Sequence, residues 1–167
     1  FHLPLGLFLD IGGGSVGVTV PDPPNTFCLF SLPLGAVRLT ENFLSVDPPR
    51  SRELKNLREH IRKQLKRVSR RIQREKFTMA FGSGGTVTPL AETDTRAGRE
   101  GKQPTLLVLR RQRLKALLDL LLARPVAERA QMISGDPKRA DIIIAGGIVL
   151  HEFMSAIELD YLFVSRR

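Results

Sequence analysis

The sequence has one cysteine, Cys28, no tryptophan and a single tyrosine in 167 residues. One thiol excludes an internal disulfide framework and a cysteine-rich zinc site, and Cys28 reads as a core residue of a strand. His2, His60 and His151 are scattered without ligand spacing, so neither a histidine metal site nor histidine acid–base chemistry is expected. His151-Glu152 is half of a zinc-protease motif whose second histidine is missing. Ser31 and Ser83 have no histidine placed to activate them, which argues against a serine hydrolase. No apolar run approaches the roughly 20 residues of a membrane span. The opening FHLPLGLFLDIG lacks a basic leader and a small-residue cleavage site, so it is not read as a signal peptide. The expected compartment is the cytoplasm. A chain that opens on Phe1 is expected to start partway through a longer protein.

What is present is globular in composition, with 42% hydrophobic and 26% charged residues. The net charge of +9 is confined to one segment. Between Arg50 and Lys76 there are 12 basic residues against Glu53, Glu59 and Glu75, and the rest of the chain carries 14 of each sign. Such a segment is either the solvated face of an amphipathic helix or a track for a polyanion, with salt-dependent binding. Reversing Arg62, Lys66 and Arg70 would separate the two readings. A nucleic-acid module built on residues 50–76 is the weaker alternative, because no aromatic interleaves those charges.

Residues 5–20 read as strand, glycine turn, strand, with Val16, Val18 and Val20 alternating. After turn chemistry at 21–25, residues 27–32 form a third strand, and Pro33 and Gly35 end this antiparallel meander. Leu54, Leu57, Ile61, Leu65, Val68 and Ile72 recur at steps of three and four and predict a helix over 51–75. Ser51 supplies half of a capping box there, with Glu53 in the first turn. A strand at 77–81 leads into Gly82-Ser83-Gly84-Gly85-Thr86, with a helix beginning near Val87. Residues 92–104 read as a mobile loop, and helices follow over 110–123, after Pro125, and over 138–157. A last strand covers 160–165. The order predicts an α/β fold, a mixed five-stranded sheet with helices on both faces.

The strongest chemical signal is Asp10-Ile-Gly-Gly-Gly-Ser15. A carboxylate ending a buried strand is costly unless it is paired or holds a metal. Three glycines remove every Cβ, so an anion can approach the amides, and Ser15 adds a hydroxyl. An acid beside an anion cradle is what phosphoryl transfer requires. A plain hairpin turn is the bland alternative. The second glycine segment, 82–86, also follows a strand, and strand ends on one sheet edge share a crevice. Arg38 is either a phosphate ligand or a salt-bridge partner. Arg139 and Asp141 read as an ion pair near a helix start, and Gly146-Gly147 as a site of close helix–sheet packing.

DIGGGS, SLPLGAVRLTE (31–41), the GSGGT segment and ERAQMISGDPKRADIIIAGG (128–147) together resemble the second lobe of the exopolyphosphatase / guanosine pentaphosphate phosphohydrolase (Ppx/GppA) family. That resemblance spans the chain and implies a ribonuclease H-like lobe of the actin-like ATPase fold. It implies release of terminal phosphate from polyphosphate or guanosine pentaphosphate, with Mg²⁺, between two lobes. Carried over, Asp10 would hold the metal or orient the attacking water. Gly12, Gly13, Gly14 and Ser15 would hold phosphate oxygens, and Gly82, Ser83, Gly84, Gly85 and Thr86 would face the same cleft. The family places a glutamate where this chain has Gly17. The first lobe, with its general base, is not in this sequence, and a Gly-Leu-Arg stretch is missing after DYLFVSRR. A non-catalytic phosphate or nucleotide sensor is the alternative within the same superfamily, and a homodimer is permitted.

Overall fold

The computed structural model describes residues 5–22, 25–96 and 106–165. Strands β1 (Gly6–Ile11), β2 (Val16–Asp22) and β3 (Asn25–Leu32) form the antiparallel meander. Helices α1 (Ala36–Phe43) and α2 (Ser51–Arg74) lead to β4 (Met79–Ser83), which runs straight into α3 (Gly84–Arg96). Then come β5 (Leu106–Arg110), α4 (Arg111–Leu122), α5 (Val126–Met132), a 3₁₀ turn at Pro137–Arg139, α6 (Ile143–Ala156) and β6 (Tyr161–Ser165). The sheet order is β3-β2-β1-β4-β6-β5, with β4 parallel to both β1 and β6.

The expected mixed sheet is there, but it has six strands rather than five. The extra one, β5, pairs antiparallel with β6 and abuts α4 without a loop, so its apolar residues merged with the leucines of that helix. α1 was also unforeseen, since its N-cap is Gly35, which offers no side-chain signal. The helix expected from Val87 starts at Gly84 and continues to Arg96, through residues expected to be a loop. The rest of that expected loop lies outside the described residues.

The amphipathic stripe of α2 behaves as its spacing dictates. Leu57, Ile61, Leu65, Val68 and Ile72 are buried, each side chain contributing roughly 1.5–3 kcal/mol. The cap differs from the expected one. Arg50, not Ser51, is the capping residue, and its N–H donates to Glu53 Oε2 at 2.8 Å. Glu53 Oε1 also accepts the hydroxyl and the N–H of Ser45, each at 2.7 Å. These bonds, the Arg50 one first, hold the Glu53 carboxyl down at about 2. Three arginines of α2 are paired within the fold: Arg58 and Arg62 bind Glu152, and Arg71 binds Asp22 and Glu75.

α6 is the centre of the helical layer, flanked by α1, α2, α3 and α4, and every residue from Ile143 to Leu150 is buried. Gly146 and Gly147 permit close packing of helix on helix rather than helix on sheet. A Cβ at Gly146 would lie 2.6 Å from the Thr86 side chain, and one at Gly147 would meet Leu118 of α4.

The described helices pack on one face of the sheet. Leu7, Leu9 and Ile11 face the helices, while Phe8 and Asp10 on the same strand face outward. Phe8 stacks on Phe81 with centroids 5.2 Å apart, and Phe81 meets Phe163 at 5.7 Å. Among the described residues this second face is open, and Phe8, Phe27, Leu29 and Val108 are each at least 45% exposed on it. No described helix is long and apolar enough to cross a membrane.

Candidate phosphate-binding site

Parallel pairing of β1 with β4 sets Asp10 beside Ser83, both exposed on the open face at the strand ends. The Ser83 hydroxyl donates to Asp10 Oδ1 at 3.0 Å, and Oδ2 has no hydrogen-bond partner among the described residues. Across the β1–β2 ladder, Asp10 faces Gly17. Directly opposed residues hold their Cβ atoms about 4.5–5.5 Å apart, so a carboxylate at 17 would stand beside Asp10. Nothing lies within 4 Å of the Gly17 Cβ position.

The glycine turn has its carbonyls tied down. Gly12 O accepts the Ala36 N–H at 2.9 Å, Gly13 O the Arg38 N–H at 3.1 Å and Gly14 O the Arg38 Nε–H at 3.0 Å. The start of α1 therefore clamps the turn, and a Cβ at Gly35 would overlap the Gly13 carbonyl. The Gly12 N–H is spent on Ser15 O at 3.0 Å. The amides of Gly13, Gly14 and Ser15 have no acceptor among the described residues, and all three residues are exposed. Carbonyls held inward with amides left outward make a cradle for an anion.

The second glycine segment is a strand end and a helix start, not a loop. Gly84 has φ +97, a left-handed conformation that strains any residue with a Cβ. A Cβ there would also sit 2.6 Å from Asp10 Oδ1 and 2.9 Å from Ile11 O. The first amides of α3, orphans of any helix N-terminus, thus open beside Asp10. The guanidinium of Arg139 lies over Gly85, close enough that a Cβ there would collide with it.

Of the residues singled out in the sequence, the structure brings together Asp10, Ser83, Gly84 and Gly85, with Gly12, Gly13, Gly14 and Ser15 on the adjoining turn. The placements of Gly82 and Thr86, and the lack of an Arg139–Asp141 ion pair among the described residues, correct the expectation. Gly82 points into the core, where a Cβ would be 2.7 Å from Val87 and 2.8 Å from Leu162. The Thr86 side chain is 2% exposed and faces α6, which leaves only its backbone N–H for the site. Arg38 supports the turn through Gly14. Arg139 and Asp141 form no ion pair among the described residues; Asp141 accepts the Ile142 N–H at 2.8 Å instead. Arg139 is the site residue that sequence reasoning missed, since nothing local aims it at a glycine far earlier in the chain. No group of three metal-ligating side chains exists among the described residues.

The Ppx/GppA phosphatase family matches residues 2–167. An uncharacterized protein of Streptomyces coelicolor is 36% identical over 163 residues, covering 94% of this chain and 47% of that protein. Exopolyphosphatase 1 of Mycobacterium leprae is 30% identical over 155 residues, 91% of this chain and 45% of the relative. The crystal structure of the Aquifex aeolicus Ppx/GppA phosphatase superposes with a TM-score of 0.82 at 29% identity, covering 97% of this chain and 53% of that one. The chain spans about half the length of the relatives it matches.

Proposed function

The chain belongs to the Ppx/GppA phosphatase family and has its α/β actin-like fold, and from that premise we propose that it supplies one lobe of a site that releases terminal phosphate from inorganic polyphosphate or guanosine pentaphosphate. The observation that carries this reading is the start of α3 set against Asp10 at Gly84, on the strand that runs into the turn bearing the unpaired amides of Gly13 and Gly14.

The amides of Gly13, Gly14 and Ser15 bind oxygens of the terminal phosphoryl group, and the first turn of α3 with Arg139 binds the charge that develops on it. Asp10 Oδ2 orients the attacking water, while Ser83 holds the carboxylate in place. A lone exposed carboxylate fits Mg²⁺, which commonly takes one or two carboxylates together with substrate phosphates. Bound at Asp10, Mg²⁺ would supply charge neutralisation of the phosphoryl oxygens. The general base and the opposing phosphate contacts come from a second lobe, so the chain by itself is a half-site. One observation favours the sensor alternative: Gly17 leaves Asp10 without a neighbouring carboxylate.

Phosphate release from polyphosphate by the intact protein tests the reading. Asp10→Asn is expected to lower turnover by about 10²–10³-fold. Unchanged turnover in that variant refutes the catalytic reading, and full turnover by residues 1–167 alone refutes the half-site.

A further inference from the structure

A groove of about 660 Å³ lies between α2, α4 and α6, in the helical layer and away from the open face that carries Asp10. It is of the size that takes a small organic molecule, commonly 300–1,000 Å³. Nothing in the phosphoryl-transfer reading uses it.

Its floor is built rather than incidental. α6 is apolar and buried until His151, where its outward positions turn polar and face the groove. Glu152, only 5% exposed, binds Arg58 Nη1 through Oε1 at 2.7 Å, and Arg62 through Oε2 at 2.7 Å and Oε1 at 3.1 Å. Burial alone would raise the Glu152 carboxyl, but its bonds to Arg62 and Arg58 outweigh that and lower it. The carboxylate is therefore charged with both oxygens bound, and its effect is to fix two guanidinium groups. Each guanidinium has five N–H donors, and these contacts use one on Arg58 and two on Arg62.

Two more features point to an occupant. Lys66 stands on the wall with no ion-pair or hydrogen-bond partner among the described residues. His151 also lines the groove; its buried Nδ1 has no partner among the described residues, and burial lowers its pKa. Beside these groups, Ala156 and the aliphatic stems of Arg58, Arg62 and Lys66 line the groove with apolar surface, with Leu65 and Leu118 buried beneath them. Inorganic polyphosphate has no use for that surface, and a neutral apolar molecule would leave the cations unused.

We propose that this groove between α2, α4 and α6 binds a small amphipathic organic anion, with its anionic group on Lys66, Arg58 and Arg62 and its apolar body on Ala156 and the aliphatic stems of those cations. The proposal does not depend on the phosphohydrolase reading.

NMR of the intact protein titrated with naphthalene-1-sulfonate, and separately with inorganic tripolyphosphate, tests it. The sulfonate is expected to give saturable shifts at Leu65, Lys66, Leu118 and the His151 ring, with Gly13 and Gly14 unmoved. Lys66→Gln, an exposed change that leaves the fold intact, should weaken that binding about tenfold, as loss of one charge-assisted contact does. Ser69→Trp should fill the groove and abolish the shifts. Absence of saturable shifts, shifts confined to Phe8, Phe81 and Phe163, or equal shifts with tripolyphosphate would each overturn the proposal. So would the same shifts on raising protein concentration without probe, which would assign the groove to a second copy.

Discussion

The two glycine segments look alike in the sequence and do different work in the fold. At Gly12–Gly14 the backbone is clamped through its carbonyls by α1 and Arg38, and the Cβ direction of Gly14 is empty. At Gly82–Gly85 the backbone is part of a strand and a helix, and the Cβ directions of Gly82, Gly84 and Gly85 are all occupied, by the core, Asp10 and Arg139. Glycine in the first segment exposes amides. Glycine in the second lets a helix start against a carboxylate and under an arginine.

Substitutions can break that contrast. Gly84→Ala combines positive φ with a close approach to Asp10, and is expected to cost about 2–4 kcal/mol in denaturant unfolding. A loss under about 0.5 kcal/mol there would show that the helix start tolerates a Cβ after all. Gly82→Ala meets side chains that can shift, Val87 and Leu162, so overpacking should cost about 1–3 kcal/mol. Gly14→Ala, with nothing within 4 Å, should leave stability within about 0.5 kcal/mol while weakening phosphate binding measured by calorimetry. Gly17→Glu should be the mildest for folding, since its Cβ position is open, yet it places a second carboxylate opposite Asp10. Its expected gain is tighter Mn²⁺ binding by electron paramagnetic resonance. Unchanged metal affinity would show that Asp10 does not share an ion with that position.

A pH change probes the groove beside this contrast. Because the folded Glu152 carboxyl is lowered, the unfolded chain binds its proton first as the pH falls. Its contribution to stability is present above about 4.5, the ordinary carboxylate value, and is lost below it. Glu152→Gln should flatten that part of the acid-unfolding profile. It should also cost roughly 1–3 kcal/mol near neutrality, because Arg58 is left half-buried without its partner.

The elements with strong periodicity were legible. The stripe of α2, the alternation of β2 and the leucines of α4 each name the face that is buried. Elements lacking such a signal were not. α1 is short and starts on a glycine, β5 is five residues fused to a helix, and the open face of the sheet is invisible in a strand whose outward residues include Phe8. In the candidate site, Asp10 and the first glycine turn could be picked out because a carboxylate followed by three bare residues is a local oddity. Arg139 could not, since an arginine in a 3₁₀ turn is ordinary until something is found beneath it.

The sequence alone settled which residues form the meander and the long basic helix, and where an acid and a flexible turn sit together. Those properties depend on spacing within a few residues, and side-chain period and backbone freedom act at that range. Only the folded chain decided which glycines are cradle and which are clearance, that Arg139 closes over α3, and that Arg58 and Arg62 serve Glu152 rather than solvent. These are contacts between residues far apart in the chain, made by packing of whole elements, and no local pattern encodes which distant atom will occupy a given space.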